Sequence, residues 1–297
     1  MSSKQLVILG ANDFEMREIK NLLLDNGYTV FQGLDNSTLT ECNKYSAYHI
    51  FDIHNHYRFA DYEIIFIECR PYGGFPKSNY IYIDHHMPYN EGFDYGGDKF
   101  MNASSIGRVY ELITGEKIRY DHNNGWMIGN NKIKKEHVFI AASDHCMVAA
   151  MKGLCCGVDK DEFHIFRKSY LPENSKVGSL FIESELREDV ELLKRFPKAK
   201  IGNEKFIVVI GYTQIRYIFD ACNELEENMV LVRPFKSNIH VRFFSFKENY
   251  IEILNNTSNL IAWSSKIQNS FRGILIGDIS KKEFKRVFGD EFSNILA

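Results

Sequence analysis

The chain has 297 residues, enough for one large domain or for two of moderate size. Hydrophobic residues make up 44% and charged residues 25%, a composition that predicts a substantial buried core and excludes a long disordered region. The formal net charge is −3, from 36 Lys and Arg against 39 Asp and Glu. This balance excludes a broad basic surface for long duplex DNA and leaves a small or short anionic ligand open.

Several features of the sequence predict a cytoplasmic protein without a membrane span. The first residues, MSSKQLVILGAND, do not have the basic and apolar regions of a secretory signal, and no apolar stretch is long enough to cross a bilayer. None of the six cysteines forms a C-x-x-C pair, so we expect reduced thiols and no zinc knuckle. The adjacent Cys155 and Cys156 are predicted to pack in a helix, with a redox role as the weaker alternative.

The first half of the chain alternates predicted strands and helices. QLVILG is an apolar run typical of a buried strand, and Ile19, Leu22 and Leu23 then recur on one face of a helix. The strands are predicted at residues 5–10, 28–33, 62–68 and 80–84, and the helices at 15–26 and 103–114. This alternation predicts an α/β fold in which a mostly parallel sheet is flanked by helices.

The second half of the chain predicts a helix, a linker and a further α/β unit. Residues 135–157 are predicted to form one buried helix with Asp144 in its middle, and the charged stretch after residue 171 favours a connecting helical segment. Beyond it, strands are predicted at 205–211, 229–235, 239–246, 250–254 and 272–279, and helices at 213–227 and 281–288. We therefore expect a domain at 1–170, a helical linker at 171–200 and a smaller α/β domain at 201–297.

Carboxylates and imidazoles follow the ends of three predicted strands. In chain order they are Asp13 and Glu15, then Glu68, then Asp84, His85 and His86. Ligands of open α/β sheets bind beyond the carboxyl ends of the strands, and clustered carboxylates repel one another unless a cation neutralises them. Because carboxylate and imidazole together suit divalent transition ions, this pattern predicts a metal site, to which Asp144 is a further candidate ligand. A polar turn is the alternative for residues 84–86.

Three segments together resemble the DHH phosphoesterase superfamily. They are IDHHMPYN at 83–90, NASSIGRVYELITG at 102–115 and IAASDHC at 140–146. The superfamily includes RecJ-type exonucleases, nano-RNA phosphatases, cyclic dinucleotide phosphodiesterases and family II inorganic pyrophosphatases. The likeness covers roughly residues 5–170, and the second unit is similar to the superfamily's substrate-binding domain in position and size.

The resemblance implies a two-manganese centre, with Mg²⁺ or Co²⁺ as weaker substitutes. It implies that Glu68 bridges the ions, that Glu15, His85 and Asp144 complete one metal site, and that Asp13 belongs to the other. It also implies that His86 contacts the scissile phosphate, while Asp84 orients the imidazoles. In the second unit, Arg242 lies on a predicted strand and so resembles the superfamily's substrate-binding arginine, with Arg233 and Lys236 nearby in the sequence.

The sequence departs from the superfamily's pattern at three positions. Glu15 and Glu68 stand where the superfamily usually has Asp, and Leu9 stands where a His normally precedes the first acid by four residues. The resemblance therefore implies one complete metal site and one that lacks a ligand, unless a histidine of the 49–56 stretch (His49, His54 or His56) replaces it. A loop with scattered histidines is the favoured interpretation of that stretch. A Gly-Gly-Gly-His stretch of the superfamily is absent from the second unit.

Ordinary structural roles are the alternatives for several candidates. Asp13 and Glu15 are also suited to be the N-cap and a first-turn acid of the following helix, and Glu68 could pair with Arg70 or Arg58. His145 fits a helix-face histidine better than a ligand. Ser104 and Ser105 are first of all helix caps, although a helix N-terminus near a phosphate site could bind an anionic oxygen of a substrate.

Together these features predict a metal-dependent phosphoesterase with its active site in the cleft between two domains. Its expected substrate is a short oligonucleotide or a nucleotide-derived phosphodiester such as a cyclic dinucleotide. The alternatives are hydrolysis of pyrophosphate or a phosphomonoester, and a non-catalytic, nucleotide-binding regulatory protein with an eroded metal site. A homodimer is left open by the sequence.

Overall fold

The structure is a computed structural model that describes most of the chain. The residues outside the description are 1–3, 53–61, 74–78, 87–88, 94, 175–178, 202–203, 211–216, 236–237, 247–260, 268–269 and 278–297. For residues 170–174, 179–183, 199–201, 204, 210, 233–235, 238–246, 261–267 and 270–277 the description covers the backbone alone. The predicted strand at 250–254 and the predicted helix at 281–288 therefore lie outside the described residues.

The chain divides into two compact units. The first comprises Met1–Met147 and Cys155–Val158, and the second comprises Val148–Leu154 and Asp159–Ala297. The chain therefore enters the second unit after Met147, returns to the first at Cys155 and leaves it again after Val158.

The first unit is built on a four-stranded parallel sheet, so the predicted α/β fold with a parallel sheet is confirmed. The strands are β1 (Lys4–Leu9), β2 (Thr29–Gln32), β3 (Tyr62–Ile67) and β4 (Tyr80–Ile83), in the spatial order β2-β1-β3-β4. Leu6 and Phe66 are buried in a core on one face of this sheet. Their strand neighbours Val7 and Ile65, which point to the opposite face, are buried as well. Both faces are thus covered, which explains why these strands are continuous apolar runs.

The parallel register brings the carboxyl ends of three strands to one line. Leu9 lies opposite Ile67, and Ile67 lies opposite Ile83. The hydrogen-bond ladder continues for one residue, because the Gly10 amide donates to Ile67 O at 2.8 Å and the Glu68 amide donates to Ile83 O at 2.9 Å. The residues that follow β1, β3 and β4 are therefore neighbours in space.

Helices flank this sheet, and two short segments complete the unit. The helices are α1 (Phe14–Asp25), α2 (Phe100–Ala103), α3 (Ser105–Thr114) and α4 (Lys135–His145), and a short 3₁₀ helix spans Ala47–His49. A three-stranded antiparallel sheet of β5 (Ile118–Asp121), β6 (Gly125–Ile128) and β7 (Asn131–Lys132) was not predicted. Its strands have only two to four residues, too few for an alternating pattern to be recognised.

The predicted single helix at 135–157 is wrong. Helix α4 ends at His145, Cys146 has non-helical dihedrals (φ −141°, ψ 40°), and the short helix α5 occupies Met147–Met151 before a turn. The break allows the thiol of Cys146 to be buried and places Asp144 in the last turn of α4 instead of the middle of a long helix. An apolar composition on all sides predicted burial here, but it could not locate the break.

The second unit combines helices with a six-stranded mixed sheet. Its helices are α6 (Lys160–Asn174), α7 (Ser179–Leu193) and α8 (Ile218–Glu224). Its strands are β8 (Lys198–Ile201), β9 (Glu204–Ile210), β10 (Asn228–Phe235), β11 (Asn238–Phe246), β12 (Ile261–Ile267) and β13 (Ser270–Gly277), in the order β12-β13-β11-β10-β9-β8. Strands β9 and β10 are parallel and the other neighbours are antiparallel.

Three features of the second unit differ from the sequence-based expectation. Helix α8 is shorter than the predicted 213–227, and residues 211–216 lie outside the description. Strands β8 and β12 were not predicted.

No helix among the described residues is both long and apolar enough to cross a membrane.

Candidate metal centre

Four side chains at the carboxyl edge of the parallel sheet converge on one point. They are Glu68 after β3, His85 and His86 after β4, and Asp144 in the last turn of α4, and one ligand atom from each lies within 4.8 Å of the others. This is the one such group of three or more potential ligands in the described part of the chain. Their separation in sequence shows that the parallel topology and α4 bring them together.

His85 is the centre of the group and is only 2% exposed. Its Nε2 lies 2.9 Å from Asp144 Oδ2, and its Nδ1 lies 3.7 Å from Glu68 Oε1. Despite the short distance, Asp144 Oδ2 is a buried oxygen without a well-aligned hydrogen bond. Both ring nitrogens thus face carboxylates from different elements, an arrangement that suits ligands around a shared cation.

The backbone of Glu68 is held in an unusual conformation. Its φ is +50°, in the left-handed region that non-glycine residues seldom adopt. Gly10 at the end of β1 makes this turn possible, because a Cβ at Gly10 would lie 3.0 Å from the Glu68 carbonyl carbon and closer still to its oxygen. The carboxylate is fixed in turn by Ser105, whose hydroxyl donates to Glu68 Oε1 at 2.6 Å.

Asp84 holds His86 in place. Asp84 Oδ1 accepts the His86 amide at 3.0 Å and lies 3.0 Å from His86 Nδ1. Tyr48 donates its hydroxyl to the same oxygen at 3.3 Å, and Arg70 Nη2 lies 3.7 Å from Asp84 Oδ2. The predicted orienting role of Asp84 thus has a geometric basis for His86. The described ion pair of Arg70 is with Asp84, not with Glu68, and Arg58 lies outside the described residues.

Asp13 and Glu15 lie beside the group, but their carboxylates bind backbone amides. Asp13 is the N-cap of α1 and accepts the Met16 amide at 3.0 Å. Glu15 Oε1 accepts the Ile106 amide at 2.9 Å, and its other oxygen is buried without a partner. The Glu15 carboxylate therefore occupies the N-terminus of α3, where an anionic oxygen of a substrate was predicted to bind.

Ser104 and Ser105 are completely buried and are used inside the protein. Ser104 is the N-cap of α3, accepting the Gly107 amide at 3.2 Å, so its predicted capping role is confirmed. Ser105 contacts the candidate ligands Glu68 and His85 rather than the surface. Their roles in substrate binding stay predictions, and the structure gives both residues a positioning role.

The electrostatics of the group follow from several acids sharing a buried space. Burial raises the pKa of Glu68 to about 7, with the charge of Asp144 adding to the shift and the two histidines opposing it. Burial and the charges of Asp144 and Glu68 raise the pKa of Glu15 well above its usual value. Desolvation beside the cluster, together with Asp144, raises the pKa of Asp13 to about 6, although solvent reaches this residue.

The histidine and aspartate pairs shift in the opposite sense. Burial disfavours the charged form of His86, but Glu68, Asp84 and Asp144 outweigh it and raise the His86 pKa to about 10. Burial likewise opposes the ionisation of Asp144, yet the contact with His85 outweighs it and lowers the Asp144 pKa. The site therefore concentrates negative charge that protons partly neutralise, and a divalent cation would replace those protons.

The donor set fits a hard or borderline divalent ion. The group offers two carboxylates and two imidazoles, and no described thiol belongs to it. Such a set suits Mn²⁺, Mg²⁺ or Co²⁺ better than a structural zinc site, which usually includes thiolates. Asp144 Oδ2 is buried and lies 2.9 Å from His85 Nε2 without a well-aligned hydrogen bond, as expected of two groups that share a cation.

Three further positions complete the description of the centre. The His145 ring on α4 is buried, packs edge-on against His85 at 5.0 Å and has Nε2 3.0 Å from Tyr95 O, so it supports the group from the helix. Leu9 is 1% exposed and part of the core. The described contact of the His49 ring is with Tyr72, and His54 and His56 lie outside the described residues.

The predicted substrate residues of the second unit are placed by backbone register alone. Arg242 on β11 lies opposite Leu231, and Arg233 on β10 lies opposite His240. Lys236 lies outside the described residues. Their roles stay predictions.

Residues missed by the sequence analysis are those that hold ligands from a distance. Tyr48, on the short 3₁₀ helix, and Gly10 lie far from the Asp-His-His segment in sequence. Tyr48 carries no ligand chemistry of its own, and a glycine after a strand is common. No protein-family model matches the chain, and no curated protein matches it significantly.

Proposed function

We propose that the chain is a divergent member of the DHH phosphoesterase superfamily and a metal-dependent phosphoesterase. We further propose Mn²⁺ as its ion, with Mg²⁺ or Co²⁺ as weaker substitutes. The observation that supports this most is the convergence of Glu68, His85, His86 and Asp144 at the carboxyl edge of a parallel sheet. Three of the four, His85, His86 and Asp144, also lie in the segments that carry the motif resemblance.

The residues divide into those that hold the ion and those that serve the substrate. Glu68, His85 and Asp144 are the proposed ligands of the tight site, and Ser105 orients Glu68. A divalent ion held there would neutralise the phosphate and activate a water. His86 keeps 38% of its side chain exposed and its pKa is raised to about 10, so it would offer a positive charge to a phosphate oxygen. Asp84 fixes the imidazole for that contact.

The proposed substrate is a short oligonucleotide or a nucleotide-derived phosphodiester. The net charge of −3 offers no broad basic surface for a long duplex, so a few local cations have to hold the substrate. A small phosphodiester meets that condition because it carries few phosphates.

A hydrolysis screen tests the proposal. The purified chain, supplied with Mn²⁺, is incubated with linear dinucleotides, cyclic dinucleotides, pyrophosphate and a phosphomonoester, and the products are separated by ion-exchange chromatography. We expect cleavage of a dinucleotide that disappears in Asp144→Asn and persists in Asp161→Asn, a matched change on α6 of the second unit. Cleavage of pyrophosphate or the monoester alone would mean a different substrate from the one proposed. If none of the compounds is cleaved, the proposal of an enzyme is overturned.

One observation favours the alternative of a non-catalytic nucleotide-binding protein. Leu9 is buried in the core where the superfamily usually has a histidine ligand, and Asp13 already caps a helix. Under the enzyme proposal, calorimetry without substrate should give one tight Mn²⁺ site per chain, with a second ion bound only alongside a phosphate group. One tight site with nucleotide binding and no turnover at any Mn²⁺ concentration would favour the alternative.

A further inference from the structure

Two buried thiols of the first unit touch, one on each side of the excursion Val148–Leu154. The sulfurs of Cys146 and Cys155 lie 2.8 Å apart, and Cys155 Sγ also lies 3.8 Å from Cys146 O. The residues are 2% and 4% exposed, respectively. Both are free cysteines. A disulfide bond is about 2.05 Å long, so bond formation requires the sulfurs to approach by less than about 1 Å.

The path of the chain gives this pair a particular position. Cys146 is the C-cap of α4, and its amide donates to Ala142 O at 3.0 Å. The chain enters the second unit just beyond it and returns to the first unit at Cys155. A bond between the two sulfurs would therefore close the excursion formed by Val148–Leu154.

The turn that contains Cys155 is held in place by its neighbour. The Cys156 amide donates to Gly97 O at 2.9 Å, and the Cys156 carbonyl accepts the indole N–H of Trp126 at 2.8 Å. These two bonds fix the turn to the first unit and keep Cys155 against Cys146. Cys156 itself is more exposed and has no described sulfur contact.

We propose that Cys146 and Cys155 are a modification site that a hydroperoxide oxidises reversibly to an intramolecular disulfide. Hydrogen peroxide converts the Cys155 thiol to a sulfenic acid and releases one water. The sulfur of Cys146 then forms the S–S bond, the sulfenic oxygen leaves as a second water, and the two thiol protons end in the waters. Two thiols and one peroxide thus give one disulfide and two waters, and a dithiol reductant restores the pair.

The order of attack follows from where the two sulfurs lie. Cys155 is on a turn whose neighbour Leu154 is 45% exposed, so a small local opening lets a peroxide reach it. Cys146 ends a buried helix. Because both sulfurs are buried, we expect oxidation over hours rather than the fast response of an exposed thiolate.

Oxidation should change metal binding at the candidate metal centre. This consequence rests on the proposed function. Asp144 precedes Cys146 by two residues and belongs to the same final turn of α4. Because protein interiors are close-packed, pulling Cys146 toward Cys155 has to shift that turn and the Asp144 carboxylate with it. We expect the Kd for Mn²⁺ to rise several-fold on oxidation.

Peptide mapping tests the disulfide without reference to activity. The full chain is incubated with hydrogen peroxide, alkylated and digested with trypsin without reductant. Cleavage after Lys135, Lys152 and Lys160 separates the peptide 136–152, with Cys146, from 153–160, with Cys155 and Cys156. We expect these two peptides to be linked in the wild type and in Cys156→Ser, and to separate after dithiothreitol.

The variants make the assignment decisive. The link should be lost in Cys146→Ser and in Cys155→Ser, each a small change whose folding is checked by circular dichroism. A loss of two hydrogens within 153–160 would mean a Cys155–Cys156 bond and would overturn the proposal. So would a link to Cys42, Cys69 or Cys222, or thiols that stay reduced.

Manganese titration then separates the disulfide from its consequence. The oxidised wild type should bind Mn²⁺ several-fold more weakly than the reduced protein, and peroxide should leave the affinity of Cys155→Ser unchanged. An equal affinity in both states would overturn the coupling. Absence of Mn²⁺ binding even in the reduced protein would contradict the proposed function, and the mapped disulfide would stand on its own.

Discussion

In the candidate metal centre, the side built by the ends of β3, β4 and α4 differs from the side built by the end of β1 and the start of α1. The first, which we call the histidine half, consists of Glu68, His85, His86 and Asp144, whose ligand atoms face one another. The second, the acidic half, consists of Leu9, Asp13 and Glu15. There a buried leucine and two carboxylates bound to backbone amides leave fewer groups for an ion.

The difference shows how one type of side chain acquires two uses. A carboxylate at a helix N-terminus stabilises the helix by accepting an orphan amide, whereas a carboxylate beside imidazoles and away from amides needs a cation. Glu68 is of the second kind, because its described partners are a serine hydroxyl and an imidazole. The two halves should therefore respond differently to substitution, pH and added metal.

The largest expected effect is the loss of the central imidazole. His85→Ala should weaken Mn²⁺ binding by on the order of 100-fold or more, because changing even an outer partner of a metal ligand costs about 10- to 100-fold. Isothermal titration calorimetry measures the affinity. His164→Ala, which removes a histidine of the second unit that pairs with Asn223, is the matched control. Equal affinities in both variants would remove His85 from the site.

The pH dependence of metal binding should come mainly from the histidine half. Glu68 has a pKa raised to about 7, so it carries a proton below that pH and an ion has to displace it. The apparent affinity for Mn²⁺ should therefore rise with pH between about 6 and 8, by at most about tenfold per pH unit for one displaced proton. Titrations at pH 6, 7 and 8 test this, and a flat profile would contradict it.

The metal-free protein should show the opposite dependence. A folded-state pKa above the unfolded value stabilises the fold at low pH and loses that contribution as pH rises through the folded pKa. Glu68, with a pKa of about 7, and His86, with a pKa of about 10, both lose stabilisation as the pH rises from 6.5 to 8. The melting temperature without metal should fall over this range, and saturating Mn²⁺ should raise it more at pH 8 than at pH 6.5.

A smaller effect is expected from the contact that joins the two halves. Gly10→Ala places a methyl group against the carbonyl of Glu68, so the Glu68 turn has to move. We expect a loss of about 1–3 kcal/mol in the free energy of unfolding and a fall in Mn²⁺ affinity on the order of tenfold.

A second glycine separates loss of stability from loss of the ligand. Gly115, the C-cap of α3, has φ +71° and open space around it. Gly115→Ala should therefore lower stability through its backbone alone and leave Mn²⁺ affinity unchanged. If both variants weaken binding equally, Gly10 has no special relation to Glu68.

The sequence predicted the parts of the centre that depend on strand ends. Parallel strands bring their carboxyl ends to one edge, so Glu68 and the Asp84–His86 segment could be placed together from their positions alone. The sequence could not show the left-handed backbone of Glu68 or the hydroxyl of Tyr48 on Asp84. Both arise from contacts between segments that no local pattern encodes.

The sequence also could not predict where a helix breaks, or which of two roles an acidic residue takes. The break at the buried Cys146 interrupts a stretch whose apolar residues have no clear periodicity, so no local pattern could locate it. Asp13 and Glu15 matched both a ligand pattern and a helix-start pattern. In the structure Asp13 caps α1, as the helix-start pattern predicts, whereas Glu15 accepts an amide at the start of α3.

The smallest expected effect is at Asp13, and it separates capping from metal binding. Asparagine caps helices about as well as aspartate, whereas alanine costs about 0.5–2 kcal/mol. Asp13→Asn should therefore have the same free energy of unfolding as the wild type, while Asp13→Ala should lower it by that amount. Thermal or chemical denaturation measures the difference.

Metal binding then decides the role of Asp13, because the amide keeps the cap but removes a negative charge. If Asp13 helps to hold a second, weaker ion, Asp13→Asn should leave the tight Mn²⁺ site intact. It should also raise, by several-fold, the Mn²⁺ concentration at which phosphodiester hydrolysis saturates. A saturation curve identical to that of the wild type would mean that Asp13 only caps α1. Any weakening of the tight site would instead place Asp13 with the histidine half and remove the distinction between the two halves.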